Sequence, residues 1–452
     1  MYKIPAVPSR EEVFEYLSKS VSFGNLGLFI GAGFSKAVIN YDSTESALSW
    51  VDLLKVCAEK MDINFENDIY TDGVSYPQIA TSLCEVHSSK KAVDYEESVK
   101  FLKRQICDLT SLYPTKEKRE EYSGYLEIFE PSWIITTNYD LVIESLLTGK
   151  SSTLSPKDQL IAASDIIPVF HLHGVRTNPD DLIITQEDYI SLFRPNEYRQ
   201  IKLALTIKES TVLLLGYSLG DVNVLTAIDW SKNVFDGQQS NYPHEVIQVL
   251  REKKPKAEPY RTKNGIIIIE TDDLINFFKE FTEIRTKCIE AETKELTDLQ
   301  TLSKTLKRSD PSDVEAFIDD DDYRKGIVEK LCESPNYLIS AFELFLTNCI
   351  NTTWVRSAPR GAFKGYAQNL ILILDILQPF SLDTMPPALF EVLADALNKL
   401  AWYIGDNPGE SHAAAGIWRA RKPDLPEDTI KELHNFSVLR EANNLRWLLD
   451  FA

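Results

Sequence analysis

Short apolar runs alternating with helix-periodic segments predict an α/β protein with a mostly parallel sheet and helices on both faces. The runs are Leu26–Ile30, Trp133–Thr136, Pro168–Leu172, Leu182–Thr185, Thr211–Leu215, Glu245–Val249 and Gly265–Glu270. Two further observations complete the outline. Between Trp50 and Glu127 the strand signal gives way to charged helical segments such as KKAVDYEESVKFLKRQICDLTSLY, which predicts a helical insertion at about residues 50–127. After Glu270 the strands stop, which predicts an all-α C-terminal domain. A chain of 452 residues exceeds one ordinary core. We therefore expect an α/β domain over residues 1–290 and a helical domain over residues 291–452.

The elements follow in order. Ser9 and Glu12 form a capping-box start, and Val13, Tyr16 and Leu17 then share one helix face. Leu26–Ile30, bounded by glycines, reads as a strand buried on both faces that runs straight into GAGFS and a helix. Helical patterns at Leu141–Leu147, Arg199–Lys208 and Val222–Trp230 lie between later strands, and Asp272–Thr293 reads as a long helix. The polar stretch Lys307–Asp322, with SDPSD and a run of four aspartates, reads as a solvated linker or loop. Like-charge repulsion and the lack of spaced ligands argue against a cation site there. Trp354, Trp402, Trp418 and Trp447 read as core of the helical domain, although exposed aromatic faces would suit assembly contacts.

Composition narrows the function. With 44% apolar and 26% charged residues the chain is of the globular class. Its 48 Lys+Arg against 68 Asp+Glu give a net charge of −20, which repels a phosphate backbone and argues against direct nucleic-acid binding. No apolar run approaches the roughly 20 residues of a spanning helix, and the opening is charged where a signal peptide is apolar, so no membrane association and a cytoplasmic location are expected. The six cysteines form no CxxC pair, so no metal site is predicted and buried thiols are expected.

Four motifs carry the chemistry. Gly31, Ala32, Gly33, Phe34 and Ser35 sit where a buried strand turns into a helix, a Rossmann-like position at which backbone N–H groups and a hydroxyl meet a diphosphate. Lys36 occupies the third glycine position of GxGxxG, so a plain tight turn is the alternative. Thr136, Thr137, Asn138, Tyr139 and Asp140 follow a strand and precede a helix, so Asn138 and Asp140 face a ligand or cap that helix. In VFHLHG, alternation puts His171 and His173 on one face, with His173 last and Gly174 giving a sharp exit. A terminal imidazole suits general-base work, whereas His171 also reads as structural. GYSLGDVN offers Gly216, Ser218, Asp221 and Asn223 as a second nucleotide-binding turn. Its GYSLG also fits a serine nucleophile elbow, but His244, His412 and His434 lie at no strand end.

In this order and spacing, GAGFS, TTNYD, HLHG and GYSLGDVN resemble the sirtuin superfamily, in its bacterial sirtuin-like NADase branch of antiphage defence, over roughly residues 20–290. The resemblance implies NAD⁺ as substrate, held by Gly31, Ala32, Gly33, Phe34, Ser35 and Thr137, with Gly216, Ser218, Asp221 and Asn223 on the adenosine side. It further implies His173, Asn138 and Asp140 at the reaction centre. Relatives of this kind are held inactive as homo-oligomers or with a partner, often a HerA-type ATPase. Two departures from deacetylating sirtuins matter. The loop after GAGFS reads Ala37-Val38-Ile39-Asn40-Tyr41-Asp42, and no cysteine lies between Cys107 and Cys288 to supply the zinc module. The expected activity is therefore hydrolysis of NAD⁺ to nicotinamide and ADP-ribose, or a cyclised form of it. The alternatives are an NAD-dependent protein deacylase and a non-catalytic nucleotide-sensing module.

Overall fold

The computed structural model describes residues 8–39, 47–69, 73–158, 163, 165–192, 198–217, 244–263, 265–358 and 363–451. The apolar runs form one sheet of β1 (Leu26–Ile30), β2 (Trp133–Thr136), β3 (Ser151–Leu154), β4 (Ile167–His171), β5 (Thr211–Leu215), β6 (Val246–Arg251), β7 (Tyr260–Arg261) and β8 (Ile267–Thr271). Its order is β3-β4-β2-β1-β5-β6-β8-β7. Only the short β7 is antiparallel. β1, β2, β5 and β8 are buried at every position, which is why they are built mainly of consecutive apolar residues rather than alternating ones.

The predicted run Leu182–Thr185 is buried but forms no strand. Both edges of β4 are already taken by β2 and β3, so Ile183 bonds instead to a turn, its N–H donating to the His173 carbonyl at 2.8 Å. β3 and β7, half-polar and short, were not predicted. Helices α1 (Arg10–Ser22) and α2 (Ala32–Ile39) flank β1, and the Ser9–Glu12 capping box is present. The insertion consists of α3 (Trp50–Lys60), α4 (Tyr76–Lys91) and α5 (Tyr95–Leu109), with a core of its own around Leu54, Leu83, Leu102 and Ile106. α6 (Lys116–Phe129) belongs to the sheet layers instead, because Tyr122, Leu126 and Phe129 pack in the cluster that holds β1. Cys57 and Cys84 are buried in the insertion core, where burial pushes both thiols up to about 12.

α7 (Val142–Leu146), α8 (Gln186–Leu192) and α9 (Tyr198–Lys208) complete the first compact unit, which ends at Ile289 within α10 (Leu274–Arg308). The predicted helix Val222–Trp230 lies outside the described residues.

The second compact unit, Glu290–Ala452, is helical throughout its named elements. Lys307–Asp322 is not a linker. It contains the end of α10, then α11 (Pro311–Asp319) and the start of α12 (Asp321–Glu333). The polar residues there are helix caps: Pro311 occupies the first turn, and the Asp320 carboxylate accepts from the Asp322 and Tyr323 N–H groups. Among the tryptophans Trp418 is fully buried, but Trp402 and Trp447 are 70% and 47% exposed and so are not core. No helix among the described residues is long and apolar enough to cross a membrane.

One row of residues, Leu215, Ile30, Thr136 and His171, runs level across β5, β1, β2 and β4. The four motifs therefore leave the sheet side by side. The chain reverses direction along the sheet between β1 and β5, so this edge is also the topological switch point where open α/β sheets bind ligands. There the turns touch. Gly31 N donates to Leu215 O at 3.0 Å and Gly33 N to Gly216 O at 2.8 Å. Gly216 has φ +60, and a Cβ on it would collide with the Phe34 backbone nitrogen. Gly216→Ala should therefore cost at least about 2 kcal/mol. A first unfolding transition of the full chain unchanged from the native protein would contradict this packing.

Candidate active site

The site grows from the close pairing of β1 and β2. Thr136, last in β2, donates its hydroxyl to Ile30 O at 2.8 Å and accepts the Asn138 N–H at 3.0 Å, which turns the chain sharply after the strand. Asn138 is thereby aimed at α2. Its Nδ2 donates to Ser35 Oγ at 2.9 Å, and Ser35 Oγ donates to Asp140 Oδ1 at 3.2 Å. Asp140 also accepts the Val142 N–H at 3.1 Å, so it caps α7 as well as closing this chain. Three residues from two motifs thus form one hydrogen-bonded line. Burial raises the Asp140 carboxyl above its ordinary value, against the lowering effect of the Val142 and Ser35 bonds and of His171.

A cleft opens over this line, walled by Ala32, Ser35, Trp50, Thr137, Asn138 and Asp140 among others. Its lining mixes these polar groups with the apolar Ile39, Leu48 and Leu53, the mixture a ribose and an aromatic ring need. Of the five residues of GAGFS, Ala32 and Ser35 line it. Phe34 turns into the core, its ring edge-on to Tyr122 at 5.9 Å. The Gly33 N–H, expected toward a diphosphate, is taken by Gly216 O. Ser218, Asp221 and Asn223 lie outside the described residues.

The two histidines do not share one face. β4 ends at His171, and Leu172–His173 already belong to a turn in which Gly174, at φ +92, donates its N–H to His171 O at 3.2 Å. Strand alternation does not reach His173. His171 points beneath the site, with Nδ1 2.9 Å from Asn138 O and Nε2 2.7 Å from Glu144 Oε1. Burial opposes its charged form, but the bond and charge of Glu144, the Asn138 carbonyl and Asp140 raise its pKa overall.

His173 is fully buried in an aromatic setting. Its ring centre lies 5.3 Å from that of Tyr189, 6.0 Å from Trp50 and 6.5 Å from Tyr139, and its Nε2 is 3.3 Å from the Tyr189 hydroxyl. Trp50 is the first residue of the insertion's α3, so the insertion roofs His173 and also walls the cleft. Sequence reading missed Glu144, Trp50 and Tyr189. None of them left a local signal: Asp140, four residues before Glu144, precedes α7 and shares no helix face with it.

A family model described as a SIR2-like domain matches residues 132–269, which include TTNYD, HLHG and GYSLGDVN. The chain is also similar to Defense-associated sirtuin 2 of Bacillus subtilis, at 21% identity over 155 residues. That alignment covers 32% of this chain and 15% of the relative, so the chain matches well under two thirds of that protein's length. Both matches bear out the sirtuin-like resemblance.

The half-buried Asp140 makes a signed prediction. An acid whose folded pKa is raised favours the folded state most below its ordinary 3.8, and that contribution is lost as pH rises through the raised value. Asp140→Asn keeps an oxygen for Val142 and Ser35 but never ionises. Its melting temperature relative to the native protein should therefore improve as pH rises from 3.8 through the raised value, and level off above it. A difference that stays constant with pH would refute the assignment.

Proposed function

We propose that this protein hydrolyses NAD⁺ to nicotinamide and ADP-ribose, in linear or cyclised form, as the NAD⁺-depleting effector of an antiphage defence system. The observation that carries the reading is the hydrogen-bonded line Asn138–Ser35–Asp140 at the switch point of the sheet, in a chain with a SIR2-like domain. The name of the Bacillus subtilis relative supports the defence context.

Nicotinamide leaves as a neutral molecule because the ring already carries the positive charge, so the site needs no strong general acid. It needs a held ribose, a stabilised cationic transition state and an activated nucleophile. Ser35 holds the Asn138 amide in one orientation, and Asn138 in turn orients the ribose or the attacking water. Asp140 lies on the same line and offsets positive charge that develops on the sugar. His173 takes the proton from water or a ribose hydroxyl, with the Tyr189 hydroxyl steadying Nε2. Because Trp50 covers His173, the nicotinamide ring reaches this centre by stacking on Trp50 or moving it aside. The remaining binding residues of the reading are Gly31, Ala32, Gly33, Phe34, Thr137 and Gly216, with Ser218, Asp221 and Asn223 toward the adenosine. No metal is part of it.

The reading extends to the whole chain as a cytoplasmic homo-oligomer, with residues 291–452 as the assembly or docking domain and a HerA-type ATPase as one class of partner. The exposed Trp402 and Trp447 support an assembly role for that unit. A full-length chain of monomeric mass in solution would refute the homo-oligomer.

Hydrolysis and deacylation are separated by assaying both on one preparation. We expect nicotinamide release from NAD⁺ alone and no deacylation of an acetyl-lysine peptide, because the insertion roofs the site and the zinc-ligand cysteines are missing. His173→Ala should lower cleavage by about 10²–10⁴-fold with the fold retained, and Asn138→Ala should act similarly. Peptide-dependent nicotinamide release with little release from NAD⁺ alone, or undiminished cleavage in His173→Ala, would overturn the reading.

A further inference from the structure

The reaction proposed above leaves His171 and Glu144 unused, although both lie directly beneath it. Their hydrogen-bond partners favour one proton count. A backbone carbonyl only accepts, so the His171 Nδ1 facing Asn138 O at 2.9 Å carries hydrogen. A neutral imidazole would then present a bare Nε2 to Glu144 Oε1 at 2.7 Å, lone pair against lone pair. Thr153 Oγ1 donates to that same Oε1 at 3.0 Å, which marks the oxygen as an acceptor. With the Glu144 carboxylate ionised, the pair closes as imidazolium and carboxylate, the state that the raised His171 pKa favours.

The consequence falls on Asn138, which is held at three points. Its N–H donates to Thr136 Oγ1, its Nδ2 to Ser35 Oγ, and its carbonyl accepts from His171. We propose that His171 is a positioning residue held as an imidazolium by Glu144, and that the pair clamps the Asn138 backbone so that its amide meets the substrate in one orientation. The groups facing His171 are Glu144 from α7, and Asp140 and the Asn138 carbonyl from the turn after β2. Removing the Glu144 charge should loosen the clamp without touching the cleft. The catalytic consequence rests on the NAD⁺-cleaving reading; the proton state of the pair does not.

The test is nitrogen-15 NMR of the full chain labelled at histidine and asparagine, with His171 assigned by its loss in His171→Asn. Both His171 ring nitrogens should stay protonated above the ordinary midpoint of 6.5, and Glu144→Gln should lower the midpoint. The Asn138 side-chain amide should shift with the same midpoint as the His171 ring. In turnover, Glu144→Gln should lower kcat for NAD⁺ cleavage about 10- to 100-fold while the Kd for NAD⁺ stays within about threefold, as for a misplaced reacting group. A His171 ring that is neutral at pH 6.5, an Asn138 amide indifferent to its titration, or an unchanged kcat in Glu144→Gln would each overturn the proposal. If the native protein cleaves no NAD⁺, the hydrolase reading fails, and the two titrations still decide the clamp. They decide it equally if Glu144→Gln does not fold, since both are read on the native chain.

Discussion

The contact between the turns after β1 and β5 is the constraint on which the site depends. Level register brings Ile30 and Leu215 to the edge together, and the backbones that follow approach so closely that side chains are excluded at both Gly31 and Gly216. That approach fixes where α2 starts, and hence where Ser35 stands. Ser35 in turn is the only described link between Asn138 and Asp140. The glycines of the first motif thus hold two turns together, a role that sequence reading assigned to contact with a phosphate. The two roles are compatible, because the Ala32 end of α2 still faces the cleft.

A second layer of support comes from the insertion. Asp188 at the start of α8 accepts the Ile184 and Thr185 N–H groups at 3.1 Å each and an ion pair from the largely buried Lys103 of α5 at 2.9 Å. Glu187 beside it accepts from Thr81 of α4 and Tyr95 of α5. These bonds hold α8 against the insertion and so bring Tyr189 to His173. From the other side α3 brings Trp50. The aromatic roof over His173 is therefore built by elements far apart in sequence, and it is held by charge as well as by packing.

This explains which parts were legible in the sequence. Strand ends were, because a strand buried on both faces leaves an apolar run stopped by Gly, Asn or His, and the sheet then puts those stops in one row. Helix starts written in polar residues were not always legible. Around Asp310 and Asp320 the aspartates and proline that cap helices are the same residues that loops use, so Lys307–Asp322 read as a linker. The reach of β4 was overestimated because alternation continues on paper through His173, whereas the chain turns directly after His171. Glu144 and Trp50 were out of reach for a different reason. Their importance exists only once β2 is paired with β4 and the insertion is folded, and neither pairing is written locally.

The site also carries polar burial that the fold alone does not require. Capping α7 needs only an uncharged oxygen, and Asn at position 140 would supply it without the desolvation that raises the Asp140 carboxyl. Closing β4 needs no histidine, yet a fully buried imidazole sits there against a carboxylate. Such an ion pair is a weak source of stability, because desolvation of both charges offsets most of their attraction. The two arrangements share one atom set: His171 binds the Asn138 carbonyl, Asp140 completes the line from Asn138, and each lowers the desolvation cost of the other. A fold optimised only for stability would replace both with apolar or amide side chains. Their presence at the level edge of the sheet, under the cleft and beside the motif that holds Asn138, is what the proposed chemistry at that asparagine would require.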